Sequence, residues 1–313
     1  MRERENGYVL ALHGGAEEPP KGQEEEAHAG LQAALRAGRA VLEGGGSAVE
    51  AVTAAVSALE DCHVFNSGHG AAFFADGSQA MDASIMDGRN HSAGAVANIF
   101  GPRNPVQAAR LVMEKSDHVL MVGEGALAFC REHGIAMADR DYFFTEKKWR
   151  ALQQTLAEKG QEPSALPRFR DTVGAVARDR QGNLAAATST GGLTASLPGR
   201  VSDTACIGSG TFADNAVCAV TATGDGEVFM RWAAAHAVAA RMQFAGQSAE
   251  QAGREVIFDL IGPGGGTGGL VVLAPDGTVA MPFNAEGMLR GYVREGGLLH
   301  TALADEPYRK TEA

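Results

Sequence analysis

Two strand–turn–strand signatures in the second half of the chain set the first constraint on its fold. Residues 173–177 and 184–189 flank Asp179-Arg180-Gln181-Gly182, and residues 270–274 and 278–283 flank Pro275-Asp276-Gly277. Asp, Pro and Gly at such positions reverse the chain, and the apolar arms then pair as antiparallel strands. Two helical stretches lie between them, near 227–242 and 248–261, the second opened by Ser248 with Gln251 three residues on. Upstream, residues 8–12 read as a short buried strand ending at His13-Gly14-Gly15. Residues 24–43 read as a helix with Leu31, Leu35 and Leu42 on one face. The glycines at 44–46 stop it. Ser47 and Glu50 form a capping box for a second helix, whose Val49, Val52, Val56 and Leu59 recur at helical spacing. Asn104-Pro105 opens a third, with Pro at its first position. Pattern alone therefore gives helices layered on antiparallel sheet.

Composition narrows the function. The chain has 313 residues, with 27 Lys and Arg against 38 Asp and Glu, a net charge of −11. Nucleic acids and anionic membranes are held mainly by clustered basic residues, so neither is expected as a partner. No apolar run approaches the roughly 20 residues that span a bilayer. The N-terminal stretch has charges and only a very short apolar run, which is not the pattern of a signal peptide, so a cytoplasmic protein is expected. Cys62, Cys130, Cys206 and Cys218 are too widely spaced for a disulfide framework or a metal cluster. Glycine is abundant, 41 residues, and clusters at 14–15, 44–46, 191–192 and 264–269. Such clusters suit tight turns and close approach of backbone to backbone or ligand.

The stretch from about 158 to 170, with Pro163, Pro167 and charges at both ends, has no periodicity and reads as an exposed loop. An apolar strand follows it at once, beginning with Thr172. A polar loop feeding such a strand is a place where a chain is readily cut. A threonine hydroxyl is a poor nucleophile without a neighbouring base, and a threonine made N-terminal carries its own, the freed α-amine. That amine has an ordinary pKa near 8, so much of it is neutral at working pH.

The run Asp171-Thr172-Val173-Gly174-Ala175-Val176-Ala177, with Thr188-Ser189-Thr190-Gly191-Gly192, closely resembles the plant-type L-asparaginase and isoaspartyl peptidase family, threonine-type N-terminal nucleophile hydrolases. The likeness continues through Leu197-Pro198-Gly199-Arg200-Val201-Ser202-Asp203, Thr223-Gly224-Asp225-Gly226-Glu227 and Pro282-Phe283-Asn284-Ala285-Glu286-Gly287-Met288. Upstream, His13-Gly14-Gly15-Ala16, Phe65-Asn66-Ser67-Gly68-His69-Gly70 and Met81-Asp82-Ala83-Ser84-Ile85-Met86-Asp87-Gly88 carry it nearly end to end. The resemblance implies a four-layer αββα sandwich forming one structural domain. It also implies a precursor that cuts itself between Asp171 and Thr172 into an α subunit, 1–171, whose flexible linker spans about 158–171, and a β subunit, 172–313.

Residue by residue, the resemblance makes Thr172 the nucleophile and Thr190 the partner that orients its hydroxyl. Arg200 would grip a substrate α-carboxylate, for which a planar fork of donors is suited, and Asp203 would pair with the α-ammonium. Thr223 and the Gly224 N–H would form an oxyanion hole. Gly226 and Asn66 would contribute to substrate binding. The implied substrates are isoaspartyl dipeptides and L-asparagine, with no cofactor for catalysis. A structural sodium ion is implied on the backbone carbonyls of Leu59, Glu60, Cys62, Phe65, Ser67 and His69, since oxygen donors suit a hard cation. Relatives suggest a homo-oligomer, a dimer of cleaved αβ units.

Three positions depart from the family pattern: Asp171 where glycine is frequent, Ser196 where lysine is common, and Ser202 where glycine is common. Asp171 is the aspartylglucosaminidase pattern and keeps open an amidase acting on glycosylated asparagine. The cysteine spacing and the absence of a signal-peptide pattern speak against it, because those enzymes work in oxidising compartments. An uncleaved, inactive relative acting as a binding protein is a second alternative. A Ser-His-Asp hydrolase is disfavoured, as no G-x-S-x-G elbow is present.

Overall fold

A computed structural model describes residues 7–17, 22–158 and 172–312. Nine strands form one sheet: β1 (Val9–Gly15), β2 (Met81–Asp87), β3 (Ala93–Ile99), β4 (Leu120–Val122), β5 (Val173–Arg178), β6 (Leu184–Thr190), β11 (Leu289–Arg294), β12 (Leu299–Ala302) and β13 (Arg309–Thr311). Their spatial order is β13-β12-β11-β1-β5-β6-β2-β3-β4. A second sheet has the order β10-β9-β8-β7, from β7 (Thr211–Asp214), β8 (Cys218–Gly224), β9 (Gly268–Leu273) and β10 (Val279–Ala280). Among the described strands only β3 and β4 pair in parallel with each other; the other strand–strand ladders are antiparallel.

The layers follow from which side chains each strand turns to each face. Leu10 and Leu12 of β1, with Val173 and Ala175 of β5, pack on Leu31, Leu35, Val52 and Val56 of helices α1 (Glu24–Glu43) and α2 (Ala48–Glu60). Val9, Ala11, Val176 and Ala186 point the other way, against Ala219, Val271 and Leu273 of the small sheet. The outer face of that sheet, including Val220, Leu270 and Val272, is covered by Val238, Ala252 and Ile257. The covering helices are α7 (Gly226–Trp232), α8 (Ala234–Ala245) and α9 (Ala249–Glu255). Helix α3 (Pro105–Lys115) joins the first layer, and α4 (Gly123–Glu132), α5 (Arg140–Phe143) and α6 (Glu146–Glu158) complete the described helices. Central strands are apolar on both faces because both faces are covered. The result is the four-layer αββα sandwich expected. No described helix is long and apolar enough to cross a membrane.

Three sequence expectations are refined. The helix near 227–242 is two helices, α7 and α8, broken at Ala233, whose φ of 46° is left-handed. The stretch 248–261 is α9 followed by a π-turn, Val256–Ile261. The arm 278–283 pairs as a strand only over Val279–Ala280, beyond which a single bridge joins Phe283 to Gly269. Pro282 lacks an N–H and so interrupts the ladder there. The two hairpins fall in different sheets, β5–β6 at the centre of the large one and β9–β10 in the small one. The linker expectation, apart from Glu158, lies outside the described residues, as does Asp171.

The helical layer sits against the large sheet at backbone distance. A Cβ on Gly94 of β3 would lie 2.1 Å from the Ala109 carbonyl oxygen and 2.5 Å from the Met113 nitrogen, both in α3. Neither backbone atom can rotate away, so Gly94→Ala is expected to lose about 3 kcal/mol of stability. A denaturation midpoint equal to that of the parent would contradict this packing.

Candidate active site

The β5–β6 register pairs Val173 with Ser189, so Thr172 stands opposite Thr190 at the open end of the hairpin. Both are buried. The Thr172 hydroxyl donates to Thr190 Oγ1 at 3.2 Å, and the Gly192 N–H donates to the same oxygen at 3.1 Å. Among the described residues no ionisable side chain hydrogen-bonds to Thr172 Oγ1.

Strand β8 of the small sheet ends beside this point. Ala219 and Thr221 face the large sheet, and Thr223, two residues further, has the same parity. Thr223 is 1% exposed, and its hydroxyl has no hydrogen-bond partner among the described residues. A buried unpaired donor is costly unless a ligand answers it. Gly224 follows with φ of 141°, and a Cβ there would lie 2.3 Å from Thr267 O. No other residue fits that approach.

The charged wall comes from the segment between β6 and β7. Asp203 is 3% exposed; burial pushes its carboxyl up to about 7, against the opposing pull of the Arg200 guanidinium. Its Oδ2 has no hydrogen-bond partner among the described residues. Gly226 closes the same corner: a Cβ there would lie 2.6 Å from Asp203 Oδ1 and 3.0 Å from Arg200 Nη2. The Nε and Nη2 groups of Arg200 donate to Glu227 at 2.8 and 3.0 Å. Glu227 therefore occupies one edge of the guanidinium fork and leaves Nη1 on the side of Gly192. Thr172, Thr190, Arg200, Asp203, Gly224 and Gly226 line one cleft.

Asn66 lies behind that cleft, fully buried, rather than in its lining. Its amide donates to Gly192 O at 2.7 Å and accepts from the Ala72 N–H at 2.8 Å, while its own carbonyl accepts from the Gly191 N–H. It holds the turn that follows Thr190. Next to it, Ser67 and Ser189 share a hydroxyl hydrogen bond at 2.7 Å. The loop of Leu59, Glu60, Cys62, Phe65, Ser67 and His69 doubles back tightly. A Cβ on Gly68 would lie 2.3 Å from Glu60 O, and one on Gly70 would lie 1.9 Å from Phe65 O. Carbonyl oxygens are the donor type that suits a hard cation, and those of Glu60 and Phe65 lie against these glycines. Among the described residues no three His, Cys, Asp or Glu side chains are placed to hold a metal.

Two residues that support the charged wall had no role in the sequence reading. Asp82 of β2 is buried and accepts from Ser202 N and Ser202 Oγ, both at 2.7 Å, and from Asn98 N at 2.9 Å. It fixes the segment carrying Arg200 and Asp203, and Ser202 supplies a hydroxyl that glycine would lack. Glu227 is the other. Asp82 lies 120 positions from Ser202, beyond any local spacing rule.

The sequence pattern of a family described as asparaginase matches residues 6–303. The chain belongs to the asparaginase family. An isoaspartyl peptidase of Salmonella typhimurium is 45% identical over 312 residues, covering 96% of this chain and 100% of that protein. One of Escherichia coli is 43% identical over 309 residues, covering 95% and 96%. An isoaspartyl peptidase/L-asparaginase of Xenopus laevis is 41% identical over 290 residues, covering 93% of each. The αββα sandwich of this asparaginase-family chain is the N-terminal nucleophile hydrolase fold, with Thr172 at the head of a central strand.

Thr190→Val keeps the shape of the side chain but removes the acceptor shared by Thr172 and Gly192. We expect a folded protein whose hydrolytic rate falls about 100-fold, since misaiming a nucleophile is worth that much. Rates within twofold of the parent would show that Thr190 does not orient Thr172.

Proposed function

We propose that the chain is a self-cleaving amidohydrolase that hydrolyses isoaspartyl dipeptides and L-asparagine through Thr172. The observation that carries this reading is the meeting of three groups at one cleft. These are the buried Thr172 hydroxyl at the head of β5, the cation and anion of Arg200 and Asp203, and Gly224 at the end of β8, next to the unanswered Thr223 hydroxyl. Fixing those two charges leaves the side-chain carbonyl of an aspartyl unit facing Thr172.

Maturation begins with attack of Thr172 Oγ1 on the Asp171 carbonyl carbon, with transfer of the acyl group from nitrogen to oxygen. That transfer frees the Thr172 amine, and water then hydrolyses the ester, releasing the Asp171 carboxylate and restoring the Thr172 hydroxyl. In turnover, that amine takes the hydroxyl proton as Oγ1 adds to the side-chain carbonyl carbon. The developing oxyanion lies at the Thr223 hydroxyl and the Gly224 N–H, donors already placed for it. The departing amine, or ammonia, leaves with a proton, and the aspartyl ester on Thr172 is hydrolysed by water. The pair Asp203 and Arg200 acts only on the aspartyl half, so the leaving group is read loosely. We further propose a sodium ion on the carbonyls of the Leu59–His69 loop, which would steady the Asn66 and Ser67 contacts behind Thr190. A cytoplasmic location and a dimer of cleaved αβ units complete the reading.

An aspartylglucosaminidase-like activity is the alternative that Asp171 favours. The decisive assay compares β-Asp-Leu, α-Asp-Leu, L-asparagine and a glycosylated asparagine, with Thr172→Ala as the inactive control. We expect turnover of the first and third only, and chains of residues 1–171 and 172–313 on a denaturing gel. Equal turnover of both dipeptides would refute the assignment of Arg200 and Asp203. Arg200→Lys keeps the charge but loses the fork, and should lower kcat/KM about tenfold or more.

The pH dependence has a definite sign. Asp203 must be ionised to take an ammonium, and the Thr172 amine must be neutral to act as base. In the free enzyme both requirements fail as the pH drops, Asp203 through about 7 and the amine through its ordinary value near 8. In the complex, the bound ammonium keeps Asp203 ionised. Between pH 8 and 6, kcat/KM should therefore fall more steeply than kcat. Parallel profiles would remove Asp203 from ammonium recognition.

A further inference from the structure

His13, in β1, is fully buried and has both ring nitrogens engaged. Nδ1 lies 2.9 Å from the main-chain oxygen of Thr172, and Nε2 lies 3.0 Å from Thr221 Oγ1. A carbonyl oxygen only accepts, so Nδ1 carries the proton; Nε2 then accepts, and the Thr221 hydroxyl donates to it. The ring is thereby fixed as one neutral tautomer. Burial reinforces this by lowering its pKa to about 3, against the opposing effect of the Thr172 carbonyl.

Behind the ring lies a cluster of buried hydroxyls. Thr221 Oγ1 also lies 2.8 Å from Thr188 Oγ1, whose hydroxyl donates to the Gly210 carbonyl at 3.1 Å. Thr211 and Ser84 extend the chain of hydroxyls on the far side of Thr188. Space for the chain is made by Gly174, which pairs with His13 in the β1–β5 register. A Cβ on Gly174 would lie 1.9 Å from Thr221 Oγ1 and 2.7 Å from His13 Nε2. The central strand thus gives up a side chain two residues from the nucleophile, at the place where imidazole and hydroxyl meet.

On its β1 side the ladder stops short of Thr172. The β1–β5 register ends at His13 and Gly174, and β1 then shifts register against β11 between His13 and Gly15. Beyond that point the imidazole reaches forward to the carbonyl of the residue ahead of β5. A residue at a chain end frays unless something ties it down.

We propose that His13 is the positioning residue of the nucleophile: its Nδ1–H holds the Thr172 carbonyl, so that Oγ1 and the α-amine stay aimed once the chain begins at Thr172. This rests on the reading of Thr172 as an N-terminal nucleophile. His13 touches neither substrate nor the reacting atoms, and acts only through the Thr172 main chain.

The test compares two buried amides in the matured protein. Asparagine at position 13 presents an N–H near the Nδ1 position, whereas glutamine reaches the Nε2 position and Thr221 instead. With β-Asp-Leu as substrate, His13→Gln should lose about 30-fold or more in kcat with KM within about threefold, and His13→Asn should recover to within about fivefold of the parent. Equal losses in the two variants, a loss confined to KM, or no loss would overturn the proposal, because a purely structural role does not distinguish them. Thr172→Ala in the same assay separates the two readings: turnover by that variant would refute the nucleophile itself. Nitrogen-15 NMR of His13 in the parent gives a measurement independent of variant folding. The Nδ1–H tautomer is expected, and an Nε2–H or doubly protonated ring would refute the proposal.

Discussion

The cross-strand pairing of β5 with β6 is the interaction on which the candidate site depends. It places Thr172 opposite Thr190 without help from any loop, because the register is fixed over six residue pairs from Val173–Ser189 to Arg178–Leu184. A slip of one residue would turn one of the two hydroxyls into the helical layer. The strands resist such a slip because each face has a distinct apolar partner, α2 on one side and the small sheet on the other. The precision of the nucleophile is therefore a property of the core.

The second sheet completes the site because it is stacked directly on the first. Thr221 points into the gap and becomes part of the buried network around His13, while Thr223, two residues on, is buried next to Gly224 of the cleft lining. The same strand supplies a structural hydroxyl and an unpaired one. The difference between them is only their distance from the end of the sandwich. The Arg200–Asp203 wall is anchored to a strand of the first sheet through Asp82, so the charged groups and the hydroxyls share one rigid frame.

Much of this was legible in the sequence, for physical reasons that can be named. Turn residues at 179–182 and 275–277 announced the hairpins, and the capping box at Ser47 and Glu50 announced α2, where both reciprocal hydrogen bonds are formed. Local chemistry failed where the structure departs from local rules. Ala233 breaks a helix in a left-handed conformation with no glycine to signal it. The roles of His13, Asp82 and Glu227 were hidden because their partners lie 159, 120 and 27 positions away. Asn66 was legible as a position near the site, but its work is to brace the Gly191–Gly192 turn. Motif matching gives an address in the chain; only the fold shows which way the side chain turns.

The strand order has a consequence for the molecule as an assembly. The sheet interleaves the two sides of residue 172: β1 lies between β11 and β5, and β2 through β4 extend the edge beyond β6. In a chain severed ahead of Thr172, the two pieces would share every hydrogen bond along the β11–β1, β1–β5 and β6–β2 seams. Neither could leave without dismantling the core, so the cut would be invisible to the folded state. It would be conspicuous on the way back from denaturation. Refolding would become a meeting of two chains, second order in concentration, with the loss of translational freedom that any association entails. The uncut chain would refold at a rate independent of dilution. Severing would thus turn a reversible fold into a kinetically held one, so that the order of folding and cutting would matter more than the equilibrium stability of either form.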